Sequence, residues 1–289
     1  MKLILVEGIP GARKTSACEY IENQLHDAGV NARVYGEGDL NHPIDYESTA
    51  FVSYERLDDL KTTFPELEKL RDSYHHNGCY QGVLIPYGTL ASTGMVTEEC
   101  AAELSKYDVY EMSSGVYKEL VLSKWKTFAA QAEKSDSIVI TDCCFLQNPL
   151  TMLMAKCNES PESIMEFVLD IEQIIAGLDS LLFYLAPDSV RDVIEDVRSS
   201  RSSEWFQHVS SYYTEQEYGR AHALPGGVEG VVQLLEERMA LEKQIISHLK
   251  MQTYIIPVSV KRRERAGEEL DVVIKKVSSI MKELKNQSE

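Results

Sequence analysis

The feature that most constrains this chain is a glycine-containing loop close to its start. The apolar run Leu3–Val6 leads into Gly8-Ile9-Pro10-Gly11-Ala12-Arg13-Lys14-Thr15, and a helical pattern begins at Ser16. Strand, loop, lysine–hydroxyl pair and helix follow one another in the order that a phosphate-binding loop requires, because loop N–H groups and a helix N-terminus attract anions. The pattern predicts a nucleotide phosphate site, and its candidate residues are Gly8, Gly11, Ala12, Arg13, Lys14, Thr15 and Ser16.

One residue departs from the usual pattern. In G-x-x-x-x-G-K-[ST] the sixth position is glycine, whereas this chain has Arg13. An arginine side chain there would either crowd a bound phosphate or point outward as an additional cation. The sequence leaves both alternatives open.

Composition narrows the classes of partner. The chain has 289 residues and a net charge of −17, with residues 261–263 as its one basic run. Such a surface repels phosphate backbones, so we expect no double-stranded nucleic acid partner. Six cysteines without a C-x-x-C pair indicate reduced thiols, and no apolar run approaches the roughly 20 residues of a membrane span. We therefore expect a cytoplasmic protein that does not associate with membranes.

Apolar runs alternate with helical patterns along most of the chain. Further strands are predicted over residues 31–35, 137–142, 181–185 and 253–257, and helices over 14–28, 160–178, 188–201, 228–249 and 267–286. This alternation predicts an α/β fold with three layers, α/β/α, around a mainly parallel five-stranded sheet. Ligands of such sheets lie beyond the carboxyl ends of the strands, where Glu7, Glu37, Asp39 and Asp142 are expected.

Two segments do not fit simple strand–helix alternation. Residues 46–134 are too long for one crossover, and we interpret them as a helical insertion over the substrate side. A helical pattern is expected over 46–78, a short strand over 80–85, and helices after Thr97 and over 115–134. Residues 202–227 are polar, aromatic and glycine-containing, which is typical of a lid. With the insertion and lid, residues 1–289 are interpreted as one domain.

The start of the chain, Leu5-Val6-Glu7-Gly8-Ile9-Pro10-Gly11-x-x-Lys14-Thr15, resembles that of P-loop nucleoside and nucleotide kinases, thymidylate kinase-like proteins in particular. The later layout is similar too, with carboxylates after the second and third strands and an arginine-bearing helix before the lid. The resemblance covers about half of the chain and excludes residues 46–134. It implies a P-loop NTPase fold, with ATP and Mg²⁺ as cofactors and a small molecule as phosphate acceptor.

The resemblance also implies residue roles. Lys14 would neutralise the outer phosphates, and Thr15 and Asp142 would hold Mg²⁺. Glu37 or Asp39 would take the proton from an acceptor hydroxyl. Arg198 and Arg201 would stabilise charge on the transferring phosphoryl group. Simpler interpretations stay open, namely a helix cap or solvated acid for Asp142, an acidic surface turn for the other two carboxylates, and cations at a helix C-terminus for the two arginines.

Another departure concerns the residue after Asp142. Related kinases usually carry arginine at this position, whereas this chain has Cys143, and the segment 144–149 that follows matches no substrate motif. Three functions therefore remain. The first is an ATP-dependent small-molecule kinase, with a nucleoside or nucleotide as the leading acceptor. The others are a nucleotide-binding regulatory protein without catalysis, and a P-loop NTPase or phosphatase that needs no acceptor. A homodimer is possible for each.

Overall fold

The computed structural model describes residues 1–76 and 81–259. These residues form two compact units. The first unit comprises residues 1–36 and 129–259, and the second comprises the described part of residues 37–128.

A five-stranded sheet is the centre of the first unit. Its strands are β1 (Leu3–Gly8), β2 (Ala32–Tyr35), β6 (Ile138–Asp142), β7 (Leu181–Pro187) and β8 (Gln252–Val258). Their order is β2-β6-β1-β7-β8, and every pair of neighbours is parallel. All residues of β1 and β7 are buried, so both faces of the sheet are covered at these strands. The predicted mainly parallel five-stranded α/β sheet is confirmed.

Register brings together the carboxyl ends of three strands. Val6 of β1 lies opposite Asp142 of β6, and Glu7 lies opposite Tyr184 of β7. The chain after β1 continues to β2 and β6, which lie on one side of β1, and later to β7 and β8, which lie on its other side. The strand order therefore changes direction at β1, which is where ligands of open α/β sheets bind.

Helices surround this sheet. In the first unit they are α1 (Lys14–Asp27), α6 (Gln147–Leu150), α7 (Pro161–Ile175), α8 (Val190–Ser200), α9 (Ser203–Thr214), α10 (Glu217–Ala221) and α11 (Gly227–Ile246). A π-helix, Thr151–Lys156, follows α6 directly. Helix α1 packs against β1, β2 and β6, and α11 packs against α7, α8 and α9. The predicted lid segment thus contains two short helices, α9 and α10.

Local sequence determines where several of these helices begin. The Ser160 hydroxyl accepts a hydrogen bond from the Ser163 N–H at 3.2 Å, and Pro161 occupies the first helical position of α7. Ser189 and Ser202 cap α8 and α9 in the same way. A capping hydroxyl satisfies an N–H group that has no partner within the helix, so serine before an amphipathic pattern fixes the helix start.

The second unit has its own antiparallel sheet. Its strands are β3 (Ala50–Ser53), β4 (His75–His76) and β5 (Gly82–Ile85), in the order β3-β5-β4. Its helices are α2 (Tyr54–Thr63), α3 (Tyr87–Ser92), α4 (Glu98–Leu104) and α5 (Ser114–Ala132), the last of which ends in the first unit, and a 3₁₀ segment spans Pro65–Ser73. Its core is formed by residues such as Val52, Leu60, Val83, Leu90 and Leu104.

The prediction of a mostly helical segment over residues 46–78 is wrong near both of its ends, where residues 50–53 and 75–76 form β3 and β4. Residues 50–53 pair with β5 over a long sequence separation, and no local pattern signals a partner that lies thirty residues later. The short strand predicted before Pro86 is present as β5, and Thr97 caps α4 by accepting from the Cys100 N–H at 3.2 Å. The helix predicted over 267–286 lies outside the described residues. Among the helices that are described, none has the length and apolar character needed to cross a membrane.

Candidate functional site at the carboxyl end of the sheet

The loop from β1 to α1 has a backbone shape that depends on glycine at two positions. Gly8 and Gly11 have φ values of 146° and 86°. A Cβ atom at Gly8 would lie 2.6 Å from the Leu185 carbonyl oxygen, and one at Gly11 would lie 2.5 Å from Cγ2 of Val197. The two glycines therefore let the loop pack closely between β7 and α8.

Arg13 takes a backbone conformation that glycine would adopt more easily. Its φ and ψ are 67° and 31°, in the left-handed region, and it directly precedes the first residue of α1. An L-residue in this region costs about 1–2 kcal/mol relative to the right-handed conformation. The loop thus reaches the left-handed conformation at this position in spite of the arginine, and the departure from the glycine pattern leaves a strained backbone there.

Lys14 is the first residue of α1, and its side chain is only 6% exposed. Its ammonium group donates to the Ile9 carbonyl oxygen at 3.1 Å and to Oε1 of Gln147 at 2.8 Å. An ammonium group carries three protons, so its two bonds to residues that the structure describes leave one donor. A buried cation with an uncommitted donor is suited to bind an anion.

Glu7 is fully buried inside β1, directly before the loop. Its two carboxylate oxygens accept backbone hydrogen bonds from Phe145 at 2.7 Å and from Gln147 at 3.0 Å. Burial raises the pKa of this carboxyl from its ordinary 4.5 to about 7, against the opposing influence of the two backbone N–H groups and of the Lys14 charge. Glu7 therefore anchors the segment that follows β6.

Thr15 and Asp142 form the oxygen-rich part of the site. The Thr15 hydroxyl on α1 donates to Oδ2 of Asp142 at 3.4 Å, and Asp142 is the last residue of β6. Asp142 is 1% exposed, whereas Thr15 lies at the surface. A hydroxyl and a carboxylate side by side are oxygen ligands of the kind that Mg²⁺ prefers.

Another set of buried polar side chains in the first unit begins at Tyr184, which lies opposite Glu7 in the sheet. The Tyr184 hydroxyl donates to Glu242 Oε2 at 2.6 Å, and Glu242 forms an ion pair with Arg238 at 3.0 Å. Arg238 also donates to the Thr151 hydroxyl at 3.0 Å, so α11 is tied to the π-helix behind α6. Burial and the Glu242 charge raise the pKa of Tyr184, which keeps its hydroxyl protonated and able to donate.

Arg198 and Arg201 lie at the C-terminal end of α8. Their guanidinium groups stack over the rings of Phe206 at 5.8 Å and Trp205 at 5.4 Å. Both arginines line a cleft of about 640 Å³ formed with α9 and the start of α11. Within residues 1–76 and 81–259, neither guanidinium forms an ion pair.

Glu37 and Asp39 belong to the second unit, in the turn that follows β2. Glu37 is exposed. Asp39 accepts a hydrogen bond from the Asn41 N–H at 2.8 Å, which closes a local turn of the kind that aspartate favours. The structure thus brings Lys14, Thr15 and Asp142 together, places the two arginines around the cleft, and leaves the role of these two acids a prediction.

Sequence reasoning assigned no role to Glu7 or Gln147. One signal for Glu7 was present, because a carboxylate inside an otherwise apolar strand must find partners when it is buried. Gln147 lies in a segment without a recognisable motif, and its contact with Lys14 joins residues 133 positions apart. Only the three-dimensional fold shows that pairing.

Comparisons with known proteins add little to this geometry. No protein-family model matches the sequence, and no curated protein matches it. A solved structure from Chloroflexus aurantiacus J-10-fl, described as a "putative kinase", aligns with 98% of this chain and 96% of that chain, at 10% sequence identity and a TM-score of 0.35. Similarity at that level supports no inference about function.

Proposed function

We propose that this protein is a P-loop phosphotransferase that moves the γ-phosphoryl group of ATP to a hydroxyl or phosphate group of a small molecule, with a nucleoside or nucleotide as the leading acceptor. The observation that carries the proposal is the cluster of Lys14, Thr15 and Asp142 at the carboxyl end of a parallel sheet. It combines a buried cation with an oxygen pair at a helix N-terminus, which is what a bound triphosphate requires.

The residues present fit ATP and Mg²⁺. Gly8 and Gly11 give the loop a shape in which backbone N–H groups can surround phosphate oxygens. Thr15 and Asp142 would hold Mg²⁺, which usually takes one or two protein ligands together with substrate phosphates. The ion would supply positive charge next to the phosphate oxygens.

Each protein group then has an electrostatic role. Lys14 donates to the outer phosphates and offsets their charge, since phosphoryl transfer depends mainly on positioning and charge stabilisation. Arg198 and Arg201, cations without a carboxylate partner among the described residues, are available to an anionic group in the cleft. Proton removal from an acceptor hydroxyl by Glu37 or Asp39 stays a prediction from the sequence.

A second candidate is a nucleotide-binding protein that transfers no phosphate. It is favoured by Cys143, which is fully buried at the position where an arginine was expected. Arg13 favours it too, because its side chain is attached within the loop that would hold the phosphates. Release of phosphate from ATP without any acceptor would instead indicate an NTPase.

Lys14→Ala tests the proposal. Binding of ATP with Mg²⁺ is measured by calorimetry, and transfer is measured with labelled ATP against a panel of nucleosides, nucleotides and other hydroxyl metabolites. We expect ATP affinity to fall at least tenfold, because a charge-assisted hydrogen bond contributes about 1.5–3 kcal/mol. The control is Lys106→Ala, which removes an exposed lysine paired with Glu103 in the second unit. Unchanged ATP binding by Lys14→Ala would refute the phosphate site.

Arg13→Gly separates the two candidates. If the natural protein binds ATP but transfers no phosphate to any acceptor, and the variant gains transfer, the second candidate is supported. Transfer by the natural protein itself excludes that candidate.

A further inference from the structure

We propose that Gln147 is a positioning residue, which holds the Lys14 ammonium group ready for phosphate with a neutral acceptor and so leaves its positive charge intact. The inference rests on the proposed function, since it assumes that Lys14 binds phosphate. It gives a role to the segment after Asp142, which the sequence left without one.

The contacts of Gln147 join two buried ionisable groups of the site, Lys14 and Glu7. Its side-chain oxygen accepts from Lys14 at 2.8 Å, and its backbone N–H donates to Glu7 at 3.0 Å. The side chain is 4% exposed, and Phe145 adds another backbone bond to Glu7 at 2.7 Å. Glu7 thus fixes the backbone of this segment, and the segment in turn fixes the amide oxygen that faces Lys14.

The chemical type of the acceptor matters because the neighbourhood already contains acidic groups. The Lys14 charge acts on the Glu7 carboxyl. The charges of Glu7, Asp142 and Lys14 all act on the Cys18 thiol, so these groups lie near one another. An additional carboxylate at position 147 would pair with the ammonium group inside a poorly solvated site. A phosphate would then have to compete with that pair. An amide oxygen orients the ammonium group through its dipole and adds no negative charge.

Three variants test the proposal by ATP binding in the presence of Mg²⁺. Gln147→Met keeps a similar side-chain volume and removes the acceptor oxygen, whereas Gln147→Glu keeps an acceptor oxygen and adds negative charge. Both variants keep the backbone N–H that donates to Glu7. Gln244→Met on the exposed face of α11 is the control. We expect the Kd for ATP to rise about tenfold for Met and more for Glu, with no change for the control.

Two further measurements separate positioning from a general structural effect. The loss of affinity should be larger for ATP than for AMP, since Lys14 would act on the outer phosphates, whereas a distorted site would weaken both equally. In a Lys14→Met background, Gln147→Met should have little further effect on ATP affinity, because both changes remove the same interaction. Thermal unfolding without nucleotide confirms that each variant is folded.

The outcomes distinguish the inference from the proposed function. If Lys14→Met leaves ATP affinity unchanged, the phosphate site itself is wrong. If Lys14→Met weakens binding while Gln147→Met does not, or if Gln147→Met weakens it equally in both backgrounds, only the role of Gln147 is wrong. ATP affinity in Gln147→Glu equal to or above that of the natural protein would overturn the argument for a neutral acceptor.

Discussion

Glu7 offers a direct test of how the site is held together. The carboxyl is fully buried, and its pKa lies at about 7 because burial disfavours the charged form. In the unfolded chain the same group titrates near its ordinary value of 4.5. Replacement by glutamine keeps the shape of the side chain and removes the titration. The two proteins should therefore differ in how their free energy of unfolding depends on pH.

The sign follows from proton linkage. Between pH 4.5 and about 7 the folded state retains a proton on Glu7 that the unfolded state has lost, so the stability of the natural protein falls as pH rises through this window. One pKa unit corresponds to about 1.4 kcal/mol, which makes the full loss about 3 kcal/mol. The sequence pI is about 4.9, and a practical range is pH 5.5 to 8.5. About 2 kcal/mol of the loss falls within that range.

The assay is urea unfolding at five pH values, followed by tryptophan fluorescence, for two proteins that differ only in Glu7→Gln. The chain has two tryptophans, Trp125 in the second unit and Trp205 in the first. Both proteins carry Trp125→Phe, so that Trp205 reports the unit containing Glu7. We expect Glu7→Gln to gain about 2 kcal/mol relative to its parent between pH 5.5 and 8.5. Parallel pH curves for the two proteins would show that Glu7 is ionised in the folded state throughout, and would refute the reasoning.

Four other substitutions test the backbone and packing arguments by urea unfolding. Arg13→Gly should raise the free energy of unfolding by about 1 kcal/mol, since it relieves the left-handed strain at φ 67°; a decrease would contradict that strain. Gly11→Ala should lower it by about 3 kcal/mol through strain and the contact with Val197, whereas Gly29→Ala, at φ 76° with open space around it, should lose only about 1 kcal/mol. Equal losses would show that packing against α8 is unimportant. Thr97→Ala should cost about 1 kcal/mol in the second unit, followed by Trp125 fluorescence.

Much of the first unit could be predicted because its elements carry local signals. Strands β1, β6 and β7 are short, mainly apolar runs bounded by polar residues, and serine hydroxyls mark the starts of α7, α8 and α9. The second unit could not be predicted equally well. Its sheet pairs Ala50–Ser53 with Gly82–Ile85, and neither four-residue segment specifies its partner. Burial against a non-local partner, rather than intrinsic preference, determines such strands.

The candidate site likewise contains residues that could be predicted from the sequence and residues that could not. Lys14 and Thr15 belong to one loop motif and Asp142 ends a recognisable strand, so the sequence predicted that these three residues lie close together. Gln147 could not be found, because its contact with Lys14 depends on how Glu7 holds the chain after β6. The backbone conformation of Arg13 could not be predicted either, since the sequence shows which residue is present and not the φ angle that it adopts.

The geometry of Cys143 limits how a missing cation could be replaced. Cys143 is fully buried at φ 67°, and two residues later the chain is tied to Glu7 by the Phe145 N–H. An arginine at position 143 would combine left-handed strain with the burial of a charge, and the anchored segment could not easily move to expose it. Under the proposed function, any further cation for the site would therefore come from elsewhere in the chain. Arg13 lies in the β1–α1 loop beside Lys14, and Arg198 and Arg201 lie one turn or less beyond Val197, which packs on Gly11. Under the proposed function, the direction of the Arg13 side chain would decide whether this residue supplies a cation to the phosphate site or crowds it.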